Sequence, residues 1–237
     1  MRLLLTIQYL GTRYGGWQTQ TNALGIQQVI EEALAKIYAR PVRVHGAGRT
    51  DAGVHAAAQR AHFDAPFVIP PRGLVLGTNQ LLPADIRVTA AEPAADDFHA
   101  RFSAKAKTYA YRIWNAEVAD VFSAETHAHV ARTLDDQAMH DAAQQLAGTH
   151  DFAVFTVADP EVASTTRSIQ SIEVRREGDA VRITVTADGF LRYMVRRIAG
   201  SLIEIGRGRL ASDAIWHEAR WTAPAKGLTL ESVSYEG

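Results

Sequence analysis

The chain has 237 residues, of which 47% are hydrophobic and 22% charged, the balance of a water-soluble globular protein. A chain this long buries about three quarters of its unfolded surface and needs no covalent staple. The absence of cysteine excludes disulfides, thiolate catalysis and cysteine-ligated zinc together, and fits a reducing compartment. The opening MRLLLTIQYLGTRYGG has too short an apolar run for a signal peptide. No segment approaches the roughly eighteen continuous apolar residues of a membrane helix. A cytoplasmic protein with no membrane partner is expected. The formal net charge of -1 conceals an uneven distribution. Residues 101–112 hold Arg101, Lys105, Lys107 and Arg112 with no acid, and residues 192–209 hold Arg192, Arg196, Arg197, Arg207 and Arg209 against Glu204 alone. Of the 25 basic residues 21 are Arg, whose planar fork suits phosphate and stacks on bases. Such patches read either as a nucleic-acid footprint or as solvated faces.

In chain order, Arg2 to Tyr9 alternates as a strand and runs into a turn at Gly11 and the loop Gly15-Gly16-Trp17. Ile26, Val29, Ile30, Ala33, Leu34 and Ile37 recur at helical spacing between Gly25 and Ala39, with Pro41 beyond the end. Val42 to Gly46 and Gln59 to Asp64 read as short strands, Arg72 to Leu82 as a helix and Ile86 to Ala91 as a strand. The second half opens with a strand over Thr108 to Trp114 and an amphipathic helix over Leu134 to Leu146, stopped by Gly148. Ser168 to Arg176 and Ala180 to Ala187 form a hairpin across Glu177-Gly178-Asp179. A helix over Phe190 to Ile205, a shorter one near Ser212 to Arg220 and a strand over Leu228 to Tyr235 close the chain.

Each half reads βαββαβ, the ferredoxin-like order. The expected fold is α/β of the α+β kind: two ferredoxin-like halves joined through a mixed, mainly antiparallel sheet, with helices on one side and a cleft between the halves. The boundary falls between Glu92 and Lys105, giving domains 1–100 and 101–237.

The most informative stretch is Gly46 to Ala56, GAGRTDAGVHA, where three glycines and three alanines surround Arg49, Asp51 and His55. Small neighbours let a ligand approach closely, so Asp51 is either presented to one, with Arg49 two residues away favouring its ionised form, or caps a solvated turn. The glycines do not match G-x-G-x-x-G, and no G-K-[ST] follows. His127 and His129 have no matching carboxylates, and G-x-S-x-G is absent, so neither a metal site nor a hydrolase elbow is expected. A carboxylate can act as nucleophile or base without any cofactor.

Two further segments supply partners. Alternation puts Lys105, Lys107, Tyr109 and Tyr111 on one face of a strand, a pattern of cations and aromatics that suits a nucleic-acid backbone with splayed bases, or else a half-buried strand. On the helix from Phe190, Leu191, Met194, Val195, Ile198, Leu202 and Ile205 share the apolar face. Arg192 and Arg196 stand one turn apart on a flank that Gly200 continues without a side chain. An Arg beside such a bare patch reaches into a cleft or snorkels at the surface.

The string GAGRTDAGVHA closely resembles the signature loop of the tRNA pseudouridine synthase A family. The resemblance extends through Gln27, Gln59 with His62-Phe63-Asp64, Asn79 with Leu82-Pro83, and Asp85-Ile86. It continues through Phe98-His99-Ala100-Arg101-Phe102, Lys107-Thr108-Tyr109, Asp151-Phe152 with Phe155, Met194-Val195-Arg196, Gly227-Leu228 and Tyr235. Arg60 stands where the family usually has an apolar residue, and Arg197 adds a charge. The resemblance implies isomerisation of uridine to pseudouridine in the tRNA anticodon stem-loop at positions 38 to 40, by a homodimer using no metal and no small-molecule cofactor. It makes Asp51 the catalytic aspartate, Arg196 its partner and Tyr109 the ring packed on a flipped-out base, with the carboxylate either trapping C1′ or deprotonating C2′. Arg49, Lys105, Lys107 and Arg192 would contact the RNA, with affinity falling steeply as salt rises. The alternatives are a non-catalytic tRNA-binding module, against which the aromatic RNP1 pattern is missing, and an unrelated small-molecule enzyme using Asp51.

Overall fold

The computed structural model describes residues 1–157 and 162–236. They divide into two compact units, residues 1–105 with the chain from Leu230 onward, and residues 106–229. Among the described residues no helix is long and apolar enough to cross a membrane.

In the first unit β1 (Arg2–Tyr9) is flanked by two antiparallel partners, β3 (His55–Asp64) and β4 (Ile86–Ala94), and β2 (His45–Gly46) pairs antiparallel with β3. Leu3, Leu5 and Ile7 are fully buried, the period-2 face that the sequence announces. Leu4 points the other way and has its own small cluster with Ala47 and Ala100, covered by Phe98 and Tyr235. Helix α1 (Ile26–Tyr38) buries Ile26, Ile30, Ala33, Leu34 and Tyr38 and ends at Ala39 in the left-handed conformation, φ 53°. Helix α2 (Pro71–Leu81) opens on a proline, whose missing N–H costs nothing in a first turn, and packs on β4 and α1. Asn79 of α2 donates to Val88 O at 2.8 Å and accepts from Val88 N at 2.9 Å, so a side chain satisfies β4 where the sheet ends.

In the second unit β5 (Ala106–Trp114), β9 (Ala180–Ala187), β8 (Thr166–Glu177) and β7 (Gly148–Asp151) lie in that order, each pair antiparallel, and β6 (Ala128–His129) runs parallel to the end of β5. Strand β9 alternates strictly, burying Val181, Ile183, Val185 and Ala187. Helix α3 (Asp136–Gln144) packs on β8, and its first turn is capped by the Asp135 carboxylate accepting from Ala138 N at 2.9 Å. Helix α4 (Met194–Gly206) packs on α3 and β5. The last strand, β10 (Leu228–Ser234), begins in the second unit; from Leu230 it belongs to the first, beside β3.

Along the chain the elements follow the βαββαβ order read twice from the pattern, with the short β6 and β7 added in the second half and the closing β10 lying mostly in the first unit. The other differences are local, among them a β2 of only His45–Gly46 in place of the expected Val42 to Gly46 and an α3 shorter than the expected Leu134 to Leu146. Strand β3 starts at His55 rather than Gln59, because the run Ala56-Ala57-Ala58 carries no alternation. Strands β6 and β7 are too short to show a period. The extra helix near Ser212 is a 3-10 turn, Ser212–Trp216.

Candidate active site

The loop of residues 46–56 leaves β2 and enters β3, and its base is closed by pairing of His45 with His62 and Gly46 with Ala61. Its backbone sits on residues 11–17. Trp17 N donates to Thr50 O at 3.0 Å, Gly53 N to Tyr14 O at 3.3 Å and Gly11 N to His55 Nδ1 at 2.9 Å. Buried side chains complete the frame: the Tyr9 hydroxyl lies 2.9 Å from Thr50 Oγ1, and Gln59 Nε2 donates to Gly48 O at 2.9 Å. Burial pushes the Tyr9 hydroxyl up to about 12, so this support stays neutral at any ordinary pH. Two glycines are dictated by close approach. A Cβ on Gly16, φ 102°, would lie 2.5 Å from Thr50 O, and one on Gly46 would lie 2.6 Å from the Trp17 indole. Thr50 is buried, Arg49 is exposed and Asp51 is half-buried, so the loop turns its two charged residues away from the core while Thr50 points into it.

Tyr109 lies in β5 opposite Val185, only 7% exposed, with the Phe190 ring edge-on at 5.0 Å. Lys107 is half-buried opposite Ala187; Lys105 is exposed and precedes the strand, its amide donating to Ser234 O at 2.9 Å. The expected one-face row of two lysines and two tyrosines ends there, because Tyr111 is a core residue. Its hydroxyl donates to Pro224 O at 2.9 Å, and a Cβ on Gly227 would lie 2.6 Å from its ring.

The helix expected from Phe190 begins instead at Met194, because Tyr193 adopts the left-handed conformation, φ 63° and ψ -3°. Its ring lies between two guanidinium groups, with Arg192 Cζ 5.1 Å and Arg196 Cζ 5.3 Å from the centroid. Arg196 Nε donates to Ala223 O at 2.9 Å, and Ala223 N donates to Arg196 O at 3.0 Å. A carbonyl and an aromatic face therefore aim this side chain. The patch expected to be bare at Gly200 is filled by the chain itself: a Cβ there would lie 2.4 Å from Trp221 O. Arg192, expected one helical turn before Arg196, is exposed and lies outside the helix.

The arginine run 192–209 separates into two sets. Arg197 donates to Thr156 O at 2.6 Å, and Arg207 and Arg209 reach Glu204 at 2.6 and 3.6 Å. These three tie the second unit together, which leaves Arg192 and Arg196 flanking Tyr193. His127 and His129 turn to separate partners, Thr126 Oγ1 at 3.0 Å and Ala116 O at 2.8 Å. Among the described residues no group of three or more His, Cys, Asp or Glu could hold a metal ion. Sequence reasoning did not find Tyr193 or Ala223 because no periodicity marks a left-handed tyrosine or a lone carbonyl acceptor. Nor did it find the Tyr9–Thr50 pair, whose members lie 41 residues apart.

A family model described as tRNA pseudouridine synthase matches residues 5–103 and 142–236, which include Asp51 and Arg196. The protein named tRNA pseudouridine synthase A from Myxococcus xanthus is 43% identical, over 99% of this chain and 92% of its own. Those of the same name from Pelobacter propionicus and Pseudoalteromonas atlantica are 42% and 44% identical, over 98% and 99% of this chain and 98% and 92% of theirs. With matches of this extent, the chain belongs to the tRNA pseudouridine synthase family, a family of isomerases.

Proposed function

We propose that this protein converts uridine to pseudouridine at positions 38 to 40 of the tRNA anticodon stem-loop. Asp51 is the catalytic carboxylate, Arg196 its charged partner, and Tyr109 the ring that confines the base. The observation that carries this reading is the state of Asp51, half-buried in a loop whose ends and neighbours are fixed by backbone hydrogen bonds. A carboxylate that only capped a surface turn would not need a frame with two buried side chains and two obligatory glycines.

The reaction breaks the bond from N1 to C1′, rotates the uracil and forms a bond from C5 to C1′, with loss of the C5 proton. Rotation requires the uridine to leave its stack, so the base is flipped out. One carboxylate serves by either of two routes. Asp51 attacks C1′ and displaces the uracil, or it removes the C2′ proton and leaves a glycal. Deuterium at C2′ slows only the second. Tyr109 packs against the detached ring, and its hydroxyl is the group assigned to relay the C5 proton. Arg49, Lys105, Lys107 and Arg192 are assigned to the RNA backbone, so binding weakens as salt rises. The acting species is taken to be a cytoplasmic homodimer with one tRNA touching both subunits, which sedimentation equilibrium of the free protein checks.

The decisive experiment incubates the protein with tRNA transcripts carrying uridines at 38 to 40 and maps pseudouridine by carbodiimide probing. Wild type is expected to modify them and Asp51→Asn to bind without product. Product formation by Asp51→Asn at the wild-type rate would overturn the assignment of the carboxylate. Tight binding by wild type with no product would make the protein a tRNA-binding module.

A further inference from the structure

Phe102 is 76% exposed, which is unusual for a phenyl ring in a well-packed turn. Its backbone is not loose. His99 N donates to Ser103 Oγ at 3.1 Å, Ser103 N donates to His99 O at 2.9 Å, and His99 Nδ1 accepts from Arg101 N at 3.1 Å and Phe102 N at 3.4 Å. One face of the ring is backed by His99 at a centroid distance of 4.4 Å, and Arg101 Cζ stands 5.7 Å from the centroid. The ring also ends a row. His99 contacts His62 at 4.6 Å and His45 at 5.8 Å, and His45 stacks on His62 at 5.0 Å with an interplanar angle of 20°. His45 is the residue before the loop that carries Asp51.

Phe122, 95% exposed, gives the contrast within the same chain. Residues 115–126 around it contain Glu117, Asp120 and Glu125 and no basic residue, a setting that repels phosphate. Phe102 is neighboured by Arg101 and by Lys105, both exposed, while the acids nearest in sequence, Asp96 and Asp97, lie within Coulombic reach of Arg2. An aromatic face beside cations is what an unstacked base on a phosphate backbone needs.

We infer that Phe102, backed by His99 and flanked by Arg101, is a stacking platform for a second, unpaired and non-reacting base of the tRNA. This rests on the proposed action on tRNA and adds to it a contact distinct from the reacting uridine. The test is fluorescence anisotropy of a labelled tRNA transcript with the full-length protein, across a potassium chloride series, for wild type, Phe102→Leu, Phe102→Trp and Arg101→Gln. Phe102→Leu is expected to weaken binding about 5- to 150-fold at every salt concentration without changing the slope of log K against log salt. Phe102→Trp should bind as tightly as wild type, and Arg101→Gln should reduce the slope by about 1. Binding by Phe102→Leu within twofold of wild type overturns the inference, as does Phe102→Trp binding as weakly as Phe102→Leu. A change in sedimentation with tRNA affinity kept also overturns it, because the ring then covers a protein surface. If wild type neither binds nor modifies tRNA, the proposed function itself fails. If wild type does both and Phe102→Leu matches it, only the platform fails.

Discussion

Two irregular segments of this molecule each present one charged side chain, and they do it by opposite means. In the loop of residues 46–56 and the segment 11–17 beneath it, close approaches fall on Gly46 and Gly16 and positive φ values on Gly53 and Gly16, and Asp51 itself keeps an ordinary backbone. At the entry to α4 the positive φ falls on Tyr193, a residue with a Cβ and a ring. A left-handed conformation costs such a residue about 1–2 kcal/mol, so the turn carries strain that a glycine would relieve. What glycine cannot supply is the aromatic face between Arg192 and Arg196. The first segment places its charge on backbone that glycines permit and a buried frame holds. The second accepts strain in order to keep a side chain.

The comparison breaks most visibly at Asp51. Asp51→Asn keeps size and shape, so unfolding temperature should be unchanged while single-turnover pseudouridine formation falls by about 10²- to 10⁴-fold or more. A drop in stability comparable to that of a loop glycine variant would instead make Asp51 part of the frame. Gly16→Ala is the complementary change. The added methyl meets Thr50 O at a backbone φ of 102°, and we expect about 1–3 kcal/mol lost in urea unfolding, with activity falling as the loop is displaced. Tolerance of alanine there would show that the seat on residues 11–17 is not rigid.

The same contrast explains what could be read from sequence. Glycines at fixed places beside an Asp are visible in a string of letters, and the alternation of β1 and β9 and the apolar stripe of α1 make the βαββαβ order legible along the chain. The ends of elements leave weaker marks in the pattern. Tyr193 looks like one more residue of an amphipathic helix, and only its backbone angle shows that α4 starts after it. Tyr111 shares the alternation of Tyr109, and only the Pro224 carbonyl and the missing side chain at Gly227 show that it belongs to the core. The basic run 192–209 reads as one patch until Glu204 and the carbonyls of residues 154 and 156 claim three of its arginines. Long-range polar partners have no local signal.

The strand that the loop enters, β3, carries a pH dependence of its own. Burial, reinforced by His99 and His45, lowers His62 from 6.5 to about 4, and its Nδ1 must stay unprotonated to accept from Ala100 N at 3.1 Å. Between those two values the unfolded chain takes up a proton that the folded chain refuses. The contribution is therefore complete above pH 6.5 and is lost progressively as pH falls toward 4. His62→Asn should lower stability at pH 7.5 yet flatten the decline between pH 6.5 and 4.5, measured as urea midpoints. Parallel declines in variant and wild type would place the acid sensitivity elsewhere.

The smallest effect tests the second segment. Tyr193→Asn removes the ring and installs a residue that tolerates positive φ; the loss of cation–π contact, about 0.5–1 kcal/mol at a partly exposed site, and the relief of strain should nearly cancel. Tyr193→Leu removes the ring and keeps the strain, so it should be less stable than Tyr193→Asn by about 1 kcal/mol. Both should lower the rate of pseudouridine formation, since Arg196 then loses the aromatic face that helps Ala223 O to aim it. Equal stability of the two variants would mean that the φ of 63° stores no strain, and the turn would then differ from the loop only in the residue it displays.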